Sequence, residues 1–204
     1  MHIGILLFDD VEVLDACGPY EVFTTAARVA ARRGEDATYD VSLLAATDRA
    51  VRSRPGLRLG VDATLDAAGP LDLLLVPGGV TDAVEADATT LAWLAAQAGT
   101  TPLLASVCTG AFVLAEAGVL AGRGTRRVTT HWEDVPLLRE RHPDLDVIAG
   151  PRWVRDGDVW TSAGISAGLD LALELVAVTS SRDLAVATAR QMDYAWDDVE
   201  APAP

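Results

Sequence analysis

The chain has 204 residues, half of them hydrophobic, which is enough for one domain with a sizeable core. Its formal net charge of −14 excludes a surface suited to nucleic acid or anionic lipid, because like charges would repel. All 16 basic residues are arginines, so Schiff-base and other lysine chemistry is excluded as well.

Strand-like and helix-like segments alternate along the chain. The predicted strands cover residues 2–8, 39–46, 71–76, 102–107 and 145–149, and a hairpin is predicted over 153–162. Residues 50–66 are predicted to form a hairpin or an excursion at the edge of the sheet. The predicted helices cover residues 20–33, 88–98, 110–117, 131–141, 165–178 and 182–196, and residues 9–19 are predicted to form a loop. This alternation predicts an α/β fold: a doubly wound, mostly parallel sheet flanked by helices, as in a flavodoxin-like α/β sandwich.

No repeat or linker divides the chain, so we expect a single domain over residues 1–198 and a frayed C-terminal tail over 199–204. No apolar run approaches the ~18–20 residues that span a bilayer. The N-terminus lacks the basic region and cleavage site of a signal peptide. We therefore expect a cytoplasmic protein with neither membrane nor nucleic acid as a partner.

The cysteines and histidines are too dispersed to suggest a metal site. Cys17 and Cys108 are far apart in the sequence and are expected to be free thiols. His2, His131 and His142 show no metal-ligand spacing. The sequence therefore does not predict a metal site.

Ser106-Val107-Cys108-Thr109-Gly110 has the spacing of a nucleophile elbow, between a predicted buried strand and a predicted helix. In such a turn the nucleophile takes a positive φ, and bulky residues two positions away would collide. We expect the N–H groups at the start of the helix to lower the thiol pKa below its usual ~8.5. The alternative is a buried cysteine that packs as a small hydrophobic residue.

Two further segments end or follow neighbouring strands. In Pro77-Gly78-Gly79, the N–H of Gly79 would join that of Thr109 in stabilising a developing anion, unless the segment is a simple tight turn. Asp15, in the predicted loop, would face the thiol as a proton donor or acceptor, unless it is a helix cap or turn residue.

Four ordered motifs resemble the PfpI/ThiJ superfamily, whose fold is of the class I glutamine amidotransferase type. They are Leu14-Asp15-x-x-Gly18-Pro19-x-Glu21-Val22-Phe23, Val76-Pro77-Gly78-Gly79, Ser106-Val107-Cys108-Thr109-Gly110-Ala111 and Thr129-Thr130-His131-Trp132. Within the superfamily, the chain resembles two branches most: isonitrile hydratase, and the sensor domain of AraC-type regulators, which residues 154–164 resemble. Those regulators continue into a helix-turn-helix domain, so a chain that ends at Pro204 is not expected to be one.

The resemblance implies hydration of an isonitrile to an N-formamide, with Cys108 as nucleophile and Asp15 as proton donor. Gly78, Gly79 and Thr109 would hold the substrate or water, and no cofactor is implied. It also implies a homodimer and a small, apolar, electrophilic substrate in a pocket with few polar groups.

Several alternatives stay open at this point. His131 is either an imidazole partner of the thiol or a structural hydrogen-bonder, and Cys17 is either a small core side chain or a thiol that could trap oxidised Cys108. The protein could instead be a stand-alone redox or ligand sensor. Glyoxalase-type chemistry on 2-oxoaldehydes is a third possibility, although that branch and the peptidases place His where this chain has Thr109.

Overall fold

A computed structural model of the protein describes residues 1–121 and 126–196. The strands are β1 (His2–Leu6), β2 (Asp40–Ala45), β3 (Val51–Arg52), β4 (Arg58–Leu59), β5 (Ala63–Thr64), β6 (Leu73–Val76), β7 (Leu103–Val107), β8 (Arg127–Val128), β9 (Asp146–Val147), β10 (Trp153–Asp156) and β11 (Val159–Ser162). The helices are α1 (Val13–Arg33), α2 (Asp82–Glu85), α3 (Ala88–Ala98), α4 (Gly110–Glu116), α5 (Val135–Arg141), α6 (Ala167–Thr179) and α7 (Arg182–Gln191), with a 3-10 turn at Leu65–Ala67.

Seven strands form one sheet in the order β10-β11-β7-β6-β1-β2-β5. Neighbouring strands are parallel throughout, except for the antiparallel hairpin β10–β11 at one edge. The central strands are apolar and buried because helices cover both faces of the sheet. Two small sheets lie outside it: the hairpin β3–β4, which falls in the region predicted as 50–66, and the parallel pair β8–β9.

Helices cover the sheet on both sides. On one face α1, α6 and α7 pack against one another, and Phe23, Leu173 and Leu184 are buried there. On the other face, α2 to α5 bury a second cluster that includes Leu94 and Phe112. The predicted doubly wound, mostly parallel α/β sandwich is confirmed. No helix within the two described ranges is long and apolar enough to cross a membrane.

The largest error in the predicted elements concerns the start of α1. Residues 9–19 do not form a loop throughout, because the helix already begins at Val13 and contains Pro19. The Glu12 side chain caps this start by accepting a hydrogen bond of 3.2 Å from the Val13 N–H. Because Pro19 packs in the interior and burial of the helix face outweighs the missing N–H, the proline does not mark the boundary. Asp15 therefore lies in the first helical turn.

Several other elements are also shorter than predicted, and the differences are largest at three of them. Residues 131–134 form a turn before α5, and α7 ends at Gln191 rather than at residue 196. The strand predicted over 145–149 reduces to β9, which pairs with β8 instead of joining the main sheet. The expected frayed tail, 199–204, lies outside the described residues, and the single domain over 1–198 stays a prediction.

The elbow glycine provides a test of this packing. A Cβ on Gly110 would lie less than 3.0 Å from the carbonyl oxygens of Val76 and Pro77, which are backbone atoms that cannot rotate away. We expect Gly110→Ala to lower the free energy of unfolding by at least ~2 kcal/mol in urea titrations. Gly69→Ala, where a Cβ meets open space, should change it by less than ~0.5 kcal/mol. Equal effects for the two variants would contradict the close approach.

Candidate active site

Cys108 lies at the end of β7, in the turn that leads into α4, and its φ is 56°. Two hydrogen bonds hold this unusual backbone in place. The Cys108 N–H donates to the Ser162 carbonyl at 3.0 Å, and the Thr130 hydroxyl donates to the Cys108 carbonyl at 2.8 Å. The positive φ expected for a nucleophile elbow is present, and β11 and the segment after β8 keep it there.

Glycines from two other segments press against this turn. A Cβ on Gly78 would lie less than 3.0 Å from the Cys108 Cβ and the Thr109 N. A Cβ on Gly164 would lie less than 3.0 Å from the Cys108 Sγ and 3.1 Å from His131 Cδ2. The sequence reasoning did not single out Gly164 or Thr130, although both stand inside the quoted motifs. The backbone after β11 thus forms one wall of the site.

Asp15 is brought to the thiol by the first turn of α1, and its exposed fraction is 0%. Its Oδ2 accepts a hydrogen bond of 3.2 Å from the Gly78 N–H. No group in the described part of the chain hydrogen-bonds its Oδ1. Burial, with a smaller contribution from the charge of Glu12, raises the pKa of Asp15 from 3.8 to about 7. The raised pKa that a proton donor needs near neutrality is therefore present.

The thiol itself behaves differently from the expectation. The pKa of Cys108 is raised to about 12, mainly because the thiol is buried and, to a smaller extent, because the charge of Asp15 lies close to it. The Thr109 N–H at the sulfur opposes this shift without reversing it. The predicted lowering of the thiol pKa is wrong, because a helix of two turns cannot offset burial beside a carboxyl group. At rest Cys108 is a thiol, and Asp15 is the group that titrates near pH 7.

The expected anion-binding N–H groups are mostly engaged within the protein. The Gly79 N–H donates to the Thr109 hydroxyl at 2.9 Å, and that hydroxyl donates back to the Gly79 carbonyl at the same distance. Since the Gly78 N–H donates its hydrogen bond to Asp15, neither glycine N–H is free to bind a substrate anion. Their role in this structure is to join the end of β6 to the elbow and to Asp15.

The remaining two candidates differ in their positions. His131 lines the same cavity as Cys108, and its Nδ1 lies 3.4 Å from Asp134 and 3.8 Å from Glu133. Cys17 is a half-buried free thiol on α1, outside that cavity, and burial raises its pKa. The structure therefore brings His131 to the site but not Cys17.

The cavity above Cys108 has a volume of about 340 Å³. Its walls include five carboxylate side chains and two arginines, together with apolar side chains from Val80, Phe112, Leu137 and Ile165. The prediction of a pocket with few polar groups is wrong, because the loops after β1 and before α5, together with α2 and the end of α5, contribute charged residues to the cavity. Across residues 1–121 and 126–196, no group of three or more His, Cys, Asp or Glu is placed to hold a metal ion.

Comparison with known proteins decides the family. Residues 1–178 match the sequence model of the DJ-1/PfpI family. The chain belongs to the DJ-1/PfpI family. This confirms the resemblance to PfpI/ThiJ proteins.

Relatives of this DJ-1/PfpI chain include an enzyme and regulators. The chain is 36% identical over 197 residues to isonitrile hydratase of Pseudomonas putida, an alignment that covers 96% of the chain and 79% of that protein. It is 29% identical over 192 residues to the HTH-type transcriptional regulator GbdR of Pseudomonas aeruginosa, covering 94% of the chain but only 50% of the regulator. A THiJ/PfpI family crystal structure from Pseudomonas syringae superposes with a TM-score of 0.80 and 27% identity, covering 99% and 77% of the two chains.

The burial of Asp15 makes stability depend on pH. Its pKa in the folded state, about 7, lies above its ordinary 3.8, so protonation stabilises the fold; that contribution is full below pH 3.8 and is lost as the pH rises through 7. Asparagine carries no charge at any pH. We expect the stability of Asp15→Asn relative to the wild type to rise between pH 4 and pH 8, by up to about 4 kcal/mol in urea titrations. Asp66→Asn, at an exposed position, should show no such change, and a flat difference for Asp15→Asn would refute the raised pKa.

Proposed function

We propose that this protein is a cysteine-dependent hydratase that converts isonitriles, R–N≡C, to N-formamides. The observation that carries the proposal is the buried carboxyl group of Asp15 beside the thiol of Cys108. A carboxyl group with a pKa of about 7 can accept a proton and return it near neutral pH. The 36% identity to an isonitrile hydratase supports the same substrate class.

The first step joins the thiol to the substrate. The Asp15 carboxylate accepts the proton of the Cys108 thiol as the sulfur attacks the terminal carbon of the isonitrile. Asp15 then delivers that proton to the same carbon. The product is a thioimidate, R–N=CH–S–Cys108, which contains every atom of the substrate and the thiol. The raised thiol pKa is compatible with this step, because the proton needed at the carbon is already stored at the sulfur.

The second step uses water. Asp15 orients a water molecule whose oxygen adds to the thioimidate carbon while a proton goes to the nitrogen. The C–S bond of the resulting R–NH–CH(OH)–S–Cys108 then breaks, the sulfur recovers a proton from the hydroxyl group, and the formamide leaves. The Thr109 N–H at Sγ stabilises the negative charge that develops on sulfur as it departs.

A sensor without turnover is a second candidate, favoured by the similarity to the regulator GbdR. The chain spans about half the length of that regulator. A peroxide sensor is disfavoured by the raised pKa of Cys108, because the thiolate is the form that oxidises readily. A sensor that binds a ligand covalently or reversibly in the same cavity differs from the hydratase only in the absence of product.

Turnover separates these candidates. We expect purified protein to convert p-nitrophenyl isocyanide to its formamide, followed by absorbance and by chromatography of the product. Cys108→Ala should abolish conversion, and Asp15→Asn should lower kcat by ~10²–10⁴-fold. Asp66→Asn should leave the rate unchanged. Release of lactate from methylglyoxal without formamide formation would instead indicate glyoxalase-type activity, and tight binding without any product would indicate a sensor.

The proposed role of Asp15 also sets the pH dependence. Because only the carboxylate can accept the thiol proton, kcat/KM for the isonitrile should fall about tenfold for each pH unit below 7 and level off above it. The measurement is a pH profile of kcat/KM in buffers of constant ionic strength. A profile that is flat from pH 5 to pH 8 would mean that Asp15 does not transfer the proton.

A further inference from the structure

The cavity above Cys108 has an excess of negative charge among its lining side chains. The acidic ones are Glu12, Asp82, Glu85, Glu133 and Asp134, and the basic ones are Arg54 and Arg141. Arg141 is already engaged by two carboxylates, each 2.5 Å away, and Arg54 lies 4.0 Å from Glu12. Arg141 is thus occupied by carboxylates of the protein, and the charge of Arg54 is offset by the nearby Glu12, so the five carboxylates outweigh the two arginines.

Three of these acidic residues face the cavity without an arginine. Within the described ranges, no arginine nitrogen lies within 4.0 Å of a carboxylate oxygen of Asp82, Glu133 or Asp134. The basic side chain within that distance of Glu133 and Asp134 is His131. The charge of Asp134 also reaches the reacting sulfur, where it contributes to the raised pKa of Cys108. The negative potential therefore extends from the mouth of the cavity to its floor.

The rest of the cavity is built to hold an organic molecule. Its floor is the thiol of Cys108, and beside that thiol lies the fully buried Asp15, whose Oδ1 has no hydrogen-bond partner in the described part of the chain. Val80, Leu137 and Ile165 line the cavity with side chains that are 41–45% exposed. Phe112 adds an aromatic ring to the lining. Apolar and aromatic surface interleaved with carboxylates suits an alkylammonium group better than a hydrated metal ion.

We propose that this cavity selects substrates that carry a positive charge, so that the preferred isonitrile, R–N≡C, bears an ammonium group on the substituent R that is bonded to its nitrogen. The isocyano group reaches Cys108 and Asp15, and the ammonium group lies among Asp82, Glu133 and Asp134. The inference rests on the proposed hydratase for its reaction, whereas the charge preference belongs to the cavity itself.

A pair of isosteric substrates tests the preference. In 2-(trimethylammonio)ethyl isocyanide and 3,3-dimethylbutyl isocyanide, a cationic nitrogen replaces a neutral carbon of the same shape. We expect kcat/KM at low ionic strength to be on the order of tenfold higher for the cation, and the ratio to fall in 0.5 M NaCl. Equal values, or a preference for the neutral compound, would overturn the proposal.

Charge-removing variants locate the effect. The triple variant Asp82→Asn, Glu133→Gln, Asp134→Asn should reduce the cation-to-neutral ratio of kcat/KM toward one. A matched triple variant, Asp48→Asn, Asp66→Asn, Asp144→Asn, removes the same charge at exposed positions outside the cavity and should keep the wild-type ratio. An identical loss in both variants would assign the preference to the net charge of −14 and contradict a local site.

A thiol-labelling experiment measures the same preference without turnover. In a Cys17→Ser background, Cys108 displaces methanesulfinate from methanethiosulfonate reagents and forms a mixed disulfide. We expect the trimethylammonioethyl reagent to label Cys108 at least tenfold faster than the sulfonatoethyl reagent, after each rate is divided by that for free mercaptoethanol. The preference should collapse in the first triple variant and persist in the second. Should no isonitrile be converted while this preference holds, the hydratase fails and the cation selectivity stands; a normalised ratio of one or less refutes the selectivity whatever the enzyme does.

Discussion

The interaction on which the site depends is the burial of one carboxyl group, that of Asp15, against one thiol, that of Cys108. Burial raises the pKa of both groups, so Asp15 is partly protonated at neutral pH, where a free carboxyl group would be charged, and Cys108 stays a thiol to well above its usual titration range. The Gly78 N–H and the Cys108 thiol stabilise the carboxylate and oppose that rise for Asp15. Burying the charged form of Asp15 destabilises the folded protein, and the same burial raises the pKa of the carboxyl group to the range in which it can exchange a proton near pH 7.

The fold brings the pair together from distant parts of the chain. Asp15 follows β1, Gly78 follows β6 and Cys108 follows β7, and these strands are adjacent and parallel, so their carboxyl ends meet at one edge. The chain order reverses between β1 and β6, which is where ligands bind in doubly wound sheets. Close backbone contacts then require glycine at positions 78, 110 and 164. Architecture and local residue size together determine where the sulfur lies.

The sequence predicted what depends on local pattern. Apolar runs indicated the buried strands, and small residues around Cys108 indicated an elbow that the positive φ confirms. What it missed depends on tertiary surroundings. The pKa of Cys108 is dominated by burial and by Asp15, neither of which the turn alone reveals. The Gly79 N–H is taken by the Thr109 hydroxyl, and the charged lining of the cavity comes from loops and short helices that are far apart in the sequence, so no local pattern predicts that they meet.

The most direct test of the account is the ionisation of Cys108 itself, followed by the ¹³Cβ chemical shift of labelled cysteine in the Cys17→Ser background. The charge of Asp15 contributes to the raised thiol pKa, so replacing it by asparagine should shift the titration of Cys108 to lower pH, while the wild-type thiol should stay protonated through pH 9. A Cys108 pKa that is near 8.5 in the wild type, or that does not fall in Asp15→Asn, would contradict the coupling of the two groups.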